Sequence, residues 1–282
     1  ELEQKDFPPL LREINDPPKK LFIRGTFPPP ESICLAVVGS RKYSPYGKEV
    51  CEKLITGLRG HNIVIVSGLA LGIDGIAHRS AISAGLKTIA IPGSGLDPKV
   101  LYPSTHKNLA EQIIESGGAL ISEFEPTFRA TTWSFPQRNR IMAGMSKAVL
   151  VIEAEIKSGT LITSKLATEY NRDVLTVPGS IFSKSSEGPH MLIKLGATPV
   201  TKSEDILEAL GFNIEQQELP FEEKYKDCLP EEMKVVEMLS EPKSRDEIIR
   251  ALGMPTHQAQ SVLSLMEIKG LIKESMGEII LV

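Results

Sequence analysis

The stretch Ile33-Cys34-Leu35-Ala36-Val37-Val38-Gly39-Ser40-Arg41-Lys42-Tyr43-Ser44-Pro45 decides the fold class. Six apolar residues run without a polar break, as a strand buried on both faces requires. A turn led by glycine follows. Ser44 then stands as an N-cap, with Pro45 at the first helical position, where a missing N–H costs nothing. The same order recurs along the chain. Ile63–Val66, Thr88–Ile91, Ala119–Ser122, Ala148–Ile152 and Val174–Val177 are further apolar runs, separated by amphipathic stretches of helical length. Strands alternating with helices predict an α/β fold with a doubly wound, mainly parallel sheet.

In such sheets the turns after the strands' carboxyl ends line one crevice, where ligands bind. Those turns are Gly39-Ser40-Arg41, Ser67-Gly68-Leu69-Ala70-Leu71-Gly72-Ile73-Asp74, Pro92-Gly93-Ser94-Gly95, Ser158-Gly159-Thr160 and Pro178-Gly179-Ser180. A helix start offers unpaired N–H groups and partial positive charge, glycine lets the backbone close on an anion, and arginine supplies a fork matching phosphate oxygens. Gly39-Ser40-Arg41 holds all three elements. Taken alone it reads equally as a tight turn with a solvated arginine.

The segment Trp133-Ser134-Phe135-Pro136-Gln137-Arg138-Asn139-Arg140 tips the balance towards a ligand. Guanidiniums beside aromatic rings can hold a phosphate backbone while a ring stacks a base. The competing reading has Phe135 as a core anchor and the arginines in ion pairs, and one of Arg138 and Arg140 is expected to be scaffold. Asp74 is expected to cap the next helix, with His78 bonding it from the following turn. No Gly-x-Ser-x-Gly elbow, Gly-x-x-x-x-Gly-Lys-Ser/Thr loop or metal-ligand histidine spacing is present. No catalytic residue, metal ligand or cofactor is therefore assigned.

Of the 282 residues, 41% are hydrophobic and 24% charged, which is ordinary for a globular chain. The net charge of −4 is weak evidence against a general nucleic-acid binder, but a local basic stripe binds phosphates on an acidic body. No apolar run reaches membrane-spanning length, and the acidic, proline-rich start lacks the basic and apolar regions of a signal peptide. Cys34, Cys51 and Cys228 are far apart and form no Cys-x-x-Cys pair. A reducing, cytoplasmic setting is expected. Residues 1–30 are expected to wrap an edge of a main domain spanning 31–212. Residues 213–230 read as a polar linker, and 231–282 as a winged helix of three helices and a terminal hairpin. That last unit carries six lysines and arginines against nine acids. Duplex binding needs several cations on one face, so the unit is expected to contact protein or the main domain.

These motifs, in this order and at this spacing, resemble the DNA-processing protein A family of bacteria (DprA, also called Smf) across residues 33–210. The matching stretches also include Leu96-Asp97 with Tyr102-Pro103. The resemblance implies an extended Rossmann-like domain that binds single-stranded DNA without cutting it. It further implies loading of the RecA recombinase onto that strand during natural transformation, and a homodimer. The family's phosphate-binding arginine falls on Arg41 and its base-stacking aromatic on Phe135. Contacts to DNA are expected from Gly39, Ser40, Arg41, Ser67, Gly68, Gly72, Gly93, Phe135, Arg138, Asn139, Arg140, Ser158, Gly159 and Thr160. Thr132-Trp133 stands where some members carry a lysine, a role Arg129 is placed to take. A helical domain that many members carry upstream of residue 1 is expected to be missing or reduced.

Two other functions share this superfamily. One is a phosphoribohydrolase-like enzyme, which holds phosphate at a Pro-Gly-Gly-x-Gly-Thr-x-x-Glu helix start. Here Thr163 occupies the glutamate position and Lys157-Ser158 replaces the preceding glycines, which disfavours that chemistry. The other is a nucleotide sensor signalling through the winged helix.

Overall fold

A computed structural model describes residues 1–213, 225, 228–275 and 277–281. The chain divides into two compact units, Glu1–Ile214 and Glu215–Val282. Of the expected linker, only residues 213, 225 and 228–230 are described.

The first unit is built on a nine-stranded sheet in the order β1-β2-β6-β5-β4-β3-β7-β8-β9. The decisive stretch forms β3 (Ile33–Val38). Around it lie β4 (Ile63–Ser67), β5 (Lys87–Ala90), β6 (Ala119–Ser122), β7 (Ala148–Val151), β8 (Asp173–Thr176) and β9 (Thr198–Pro199). All of these pair in parallel. The six predicted runs match β3 to β8 within a residue, because those strands are largely apolar on both faces, whereas the short, exposed β9 has no predicted counterpart. Cys34, Ala36 and Val38 pack on one face with Ile141 and Met142 of α5 (Ser134–Met145). Leu35 and Val37 pack on the other with Leu54 and Ile55 of α2 (Pro45–Thr56) and Ile73 and Ala77 of α3 (Ile73–Ser83). Cys34 and Cys51 are core residues, and burial pushes both thiols up.

β3 is flanked by β4 on one side and β7 on the other. The chain winds outward from it in both directions, so the switch point lies between β3 and β7. A crevice opens beyond the carboxyl ends of the strands there.

Residues 1–30 do more than wrap an edge. β2 (Lys20–Gly25) extends the sheet antiparallel to β6, and β1 (Leu2–Glu3) pairs with β2. Between them lies α1 (Pro9–Arg12), whose Leu11 is fully buried. Leu11 and Ile14 press so closely on Gly144 of α5 that a methyl group there would fall 2.9 Å from Ile14 Cγ2. The Tyr170 hydroxyl donates to Asp16 Oδ1 at 2.6 Å, and Arg172 donates to the Leu10 carbonyl at 2.7 Å.

In the second unit, helices Pro230–Met238, Arg245–Leu252 and Thr256–Ile268 accompany a sheet ordered β10 (Lys243–Ser244), β12 (Glu278–Leu281), β11 (Ile272–Ser275), with β10 between the first two helices. Val235, Ile248, Leu263, Met266 and Ile279 form its core. Three helices and a hairpin are the expected winged helix. Ser244 caps the middle helix by accepting from the Glu247 N–H, while Glu247 accepts from the Ser244 N–H at 2.8 Å. Among the described residues, Arg245 pairs with Glu267 and Glu274, and Lys269 with Glu232.

Leu11→Ala opens a cavity where the N-terminal segment meets α5. The expected loss is about 3 kcal/mol, read from the urea unfolding midpoint of the whole chain.

Candidate nucleic-acid interface

The groove at the switch point has a volume of about 660 Å³. Its floor and one wall come from Val38, Gly39, Ser40, Arg41 and Lys42 after β3. The opposite wall comes from Lys157, Ser158, Gly159 and Thr160 at the start of α6 (Thr160–Glu169). Phe135, Arg138, Asn139 and Met142 of α5 close the end.

The turn after β3 is held at several points. Thr160 Oγ1 donates to the Gly39 carbonyl at 3.1 Å, and the Ile73 N–H donates to the Ser40 carbonyl at 3.2 Å. Ser40 Oγ accepts the Lys42 N–H at 3.0 Å. The close passage of α3 over this turn needs Gly72, whose φ of 83° is unfavourable for any side chain. Buried Glu153 fixes the start of α2: it accepts from the Ser44 N–H at 2.9 Å, the Ser44 hydroxyl at 2.6 Å and the Ser185 hydroxyl at 2.8 Å. Ser44 in turn caps α2 by accepting from the Gly47 N–H at 3.0 Å, as its sequence position predicts.

Arg41 projects from this frame into solvent, its guanidinium carbon 5.5 Å from the centroid of the Phe135 ring. A cation over an aromatic face is an attractive pairing. Phe135 is itself placed by Gly93, where a methyl group would fall 2.6 Å from its Cδ1. Ser134 anchors the helix start by donating to the Gly93 carbonyl at 2.6 Å.

The two arginines of Arg138-Asn139-Arg140 have separate surroundings. Arg138 is 4% exposed, and its Nη1 donates to the carbonyls of Gly68, at 2.5 Å, and Ile91. Arg140 points away from the groove and bonds Glu123 Oε2 at 2.5 Å and the Asp16 carbonyl. Burial lowers the Arg138 guanidinium to about 10, against the pull of Asp74. It stays cationic at neutral pH. Burial raises the Asp74 carboxyl, opposed by Arg138 and by the amides of Ala70 and Gly68.

Asp74 and His78 are not partners. Asp74 Oδ2 accepts from the N–H groups of Gly68, at 3.1 Å, and Ala70, at 3.3 Å, closing the loop that precedes α3 instead of capping the helix. His78 Nδ1 meets Thr88 Oγ1 at 2.7 Å in the core. The competing bonds lie on β5 and on a loop, positions that local spacing cannot foresee.

The groove thus gathers Gly39, Ser40, Arg41, Phe135, Arg138, Asn139, Ser158, Gly159 and Thr160 from the predicted set. Gly68 lines a smaller pocket behind Arg41 and Phe135. Ser67, Gly72, Gly93 and Arg140 do not line either space. Ser67 is buried and donates to the Val37 carbonyl at 2.7 Å. Trp133 is half exposed and packs edge-on against Phe124 and Phe128, with centroids 5.7 and 5.6 Å apart. Arg129 is exposed but does not line the groove either. Lys42 and Lys157, outside the predicted set, also line the groove; both are exposed and adjacent in sequence to the Gly39-Ser40-Arg41 and Ser158-Gly159-Thr160 turns.

A doubly wound parallel sheet with a cation-rimmed groove at its switch point defines an extended Rossmann-like class of protein. Within it, the chain belongs to the DNA recombination-mediator protein A family, whose model matches residues 1–211. A model of the DprA winged helix domain matches residues 230–278. Protein Smf of Escherichia coli is 46% identical over 212 residues, covering 74% of this chain and 55% of that protein. The chain therefore matches only about half the length of this relative. DNA processing protein DprA of Streptococcus pneumoniae is 45% identical over 202 residues, covering 72% and 70%. Its X-ray structure superposes with a TM-score of 0.69 at 43% identity, over 73% of this chain and 72% of that one. A structure of DNA processing protein A from Helicobacter pylori, described for its single-stranded DNA binding mode, gives a TM-score of 0.64 at 30% identity, over 73% and 93%.

Scaffold and contact separate experimentally. Arg138→Met leaves two carbonyls and Asp74 without their cation and is expected to cost on the order of 3 kcal/mol in urea unfolding. Arg41→Ala is expected to stay within about 0.5 kcal/mol of the wild type.

His78 yields a pH signature. Burial, followed by the nearby charges of His106, Arg138 and Arg79, lowers it to about 3. The unfolded imidazole titrates near 6.5. Its contribution to stability is complete above that pH and is lost as pH falls towards 3, by about 1.4 kcal/mol per unit. Unfolding of His78→Gln followed from pH 7 to 4 is expected to show a shallower decline than the wild type.

Proposed function

We propose that this protein binds single-stranded DNA along the switch-point groove and delivers it to a RecA-type recombinase. The observation that carries the reading is Arg41 set 5.5 Å over the half-buried Phe135 ring at one end of the groove. A phosphate-binding fork then lies one nucleotide's reach from a flat apolar face, which every base can stack on. Lys42, Lys157 and the start of α6 add positive potential along the same track. Family membership and the strand-binding Helicobacter relative support the ligand class. We propose further that the protein is not an enzyme, acts as a homodimer in the cytoplasm, and serves uptake of DNA in natural transformation. No helix among the described residues is long and apolar enough to cross a membrane.

One observation favours a second reading. Asp74 lines the groove with its carboxyl raised by burial, a signature often found at catalytic sites. Its Oδ2, however, is already engaged by two backbone amides, and Thr163 stands where the related hydrolases carry glutamate. Release of free base from nucleoside monophosphates would overturn the binding-only assignment.

The decisive measurement is affinity for single- and double-stranded oligonucleotides across a salt series. Single strands are expected to bind more tightly, with a log–log slope of about −0.7 per phosphate contacted. Arg41→Ala is expected to weaken binding and reduce the slope by about 0.7. Equal affinity for both forms would refute the reading. Delivery is tested by RecA-dependent ATP hydrolysis on strands coated with single-strand-binding protein. The wild type is expected to stimulate it and Arg41→Ala to fail.

A further inference from the structure

Beyond Phe135, on the side away from α6, lies a second aromatic ring. Tyr102 is 49% exposed, its centroid 5.5 Å from that of Phe135 and its plane tilted by 52°. It is held from below. Its N–H donates to the buried Ser94 hydroxyl at 3.3 Å, and the neighbouring Leu101 N–H donates to the Asp97 carbonyl at 3.1 Å. Leu71, 48% exposed, and Pro103 flank it. Beside the two rings, with Arg41 also in its lining, is a space of about 30 Å³. That has room for about two water molecules. A nucleobase cannot enter it and can only lie across a ring face.

From this geometry we propose that Tyr102 is a second base-stacking residue, resting on the single-strand reading above. A strand whose phosphate meets Arg41 lays one base on Phe135 and the adjacent base on Tyr102. Two rings tilted by 52° cannot each stack a base while those bases stay parallel. The step between them is therefore splayed, and the strand turns as it passes Arg41. Opening a step costs least where bases stack weakly on one another, so the pair favours pyrimidine runs. Arg41 is the cation lining this smaller pocket that is also exposed, so the Tyr102 end contributes stacking and little charge.

The experiment measures affinity of the full chain for oligothymidylate and oligoadenylate of equal length across a salt series. Wild type, Arg41→Ala, Tyr102→Ala, Tyr102→Leu and Tyr102→Phe are compared. Both Tyr102→Ala and Tyr102→Leu are expected to lose about tenfold in affinity for oligothymidylate, with the salt slope unchanged. Tyr102→Phe keeps the ring and is expected to bind within about twofold of the wild type. The preference for thymidylate over adenylate is expected to shrink in the first two variants and persist in the third. Tyr102→Leu retains apolar bulk, so wild-type binding by it removes the stacking assignment. If the wild type binds strands and Arg41→Ala weakens them while Tyr102→Leu does not, only this inference fails. If the wild type binds no strand, the underlying reading fails with it.

Discussion

The guanidinium of Arg138, bonded to the carbonyls of Gly68 and Ile91 beside the carboxylate of Asp74, is the contact on which the groove depends. Those carbonyls end β4 and β5, where a parallel sheet leaves oxygens with no further strand residue to bond. A cation set there satisfies both and ties the first turns of α5 to the sheet edge. Phe135 is carried one turn earlier on the same helix. The position of the ring opposite Arg41 is thus inherited from a charge buried in the floor. The pairing is costly to desolvate, and its value is geometric: it fixes where α5 stands.

Most of the sheet is legible in the sequence because parallel strands covered on both faces read as unbroken apolar runs. β2 is harder to see. Lys20-Leu21-Phe22-Ile23-Arg24-Gly25 sits between proline-rich stretches, ends in charges, and pairs antiparallel near the sheet's edge. The turns are legible too, since Gly39-Ser40-Arg41 and Ser158-Gly159-Thr160 follow strand ends directly. The division of labour between Arg138 and Arg140 is not. Two residues on a helix diverge by about 200°, so one faces the sheet edge and the other faces Asp16 and Glu123. Which of the two faces inward depends on tertiary packing, including that of α1, more than a hundred residues upstream. The pairing of Tyr102 with Phe135 is not legible for the same reason: thirty-two residues lie between the two rings in the chain.

Net charge is a poor guide in this protein. The chain is acidic by four charges, yet three exposed cations, Arg41, Lys42 and Lys157, line one groove against one exposed acid, Glu155. Binding of an anion responds to the field at the groove, which is set by near charges and helix termini and is screened beyond about 8–10 Å at ordinary salt. The winged helix shows the converse. Arg245 and Lys269 are spent on ion pairs within the unit, so its excess of acids is not offset by a free basic stripe from these two.

The edge-on packing of Trp133 against Phe124 and Phe128 has a practical consequence. Trp133 is the chain's single tryptophan, and it occupies the N-cap of α5, two residues before Phe135. All tryptophan fluorescence from the protein therefore originates at one end of the helix that shapes the groove. The chain carries its own optical label there, half exposed and responsive to local polarity, and it reports on that helix with no dye attached and no averaging over other sites.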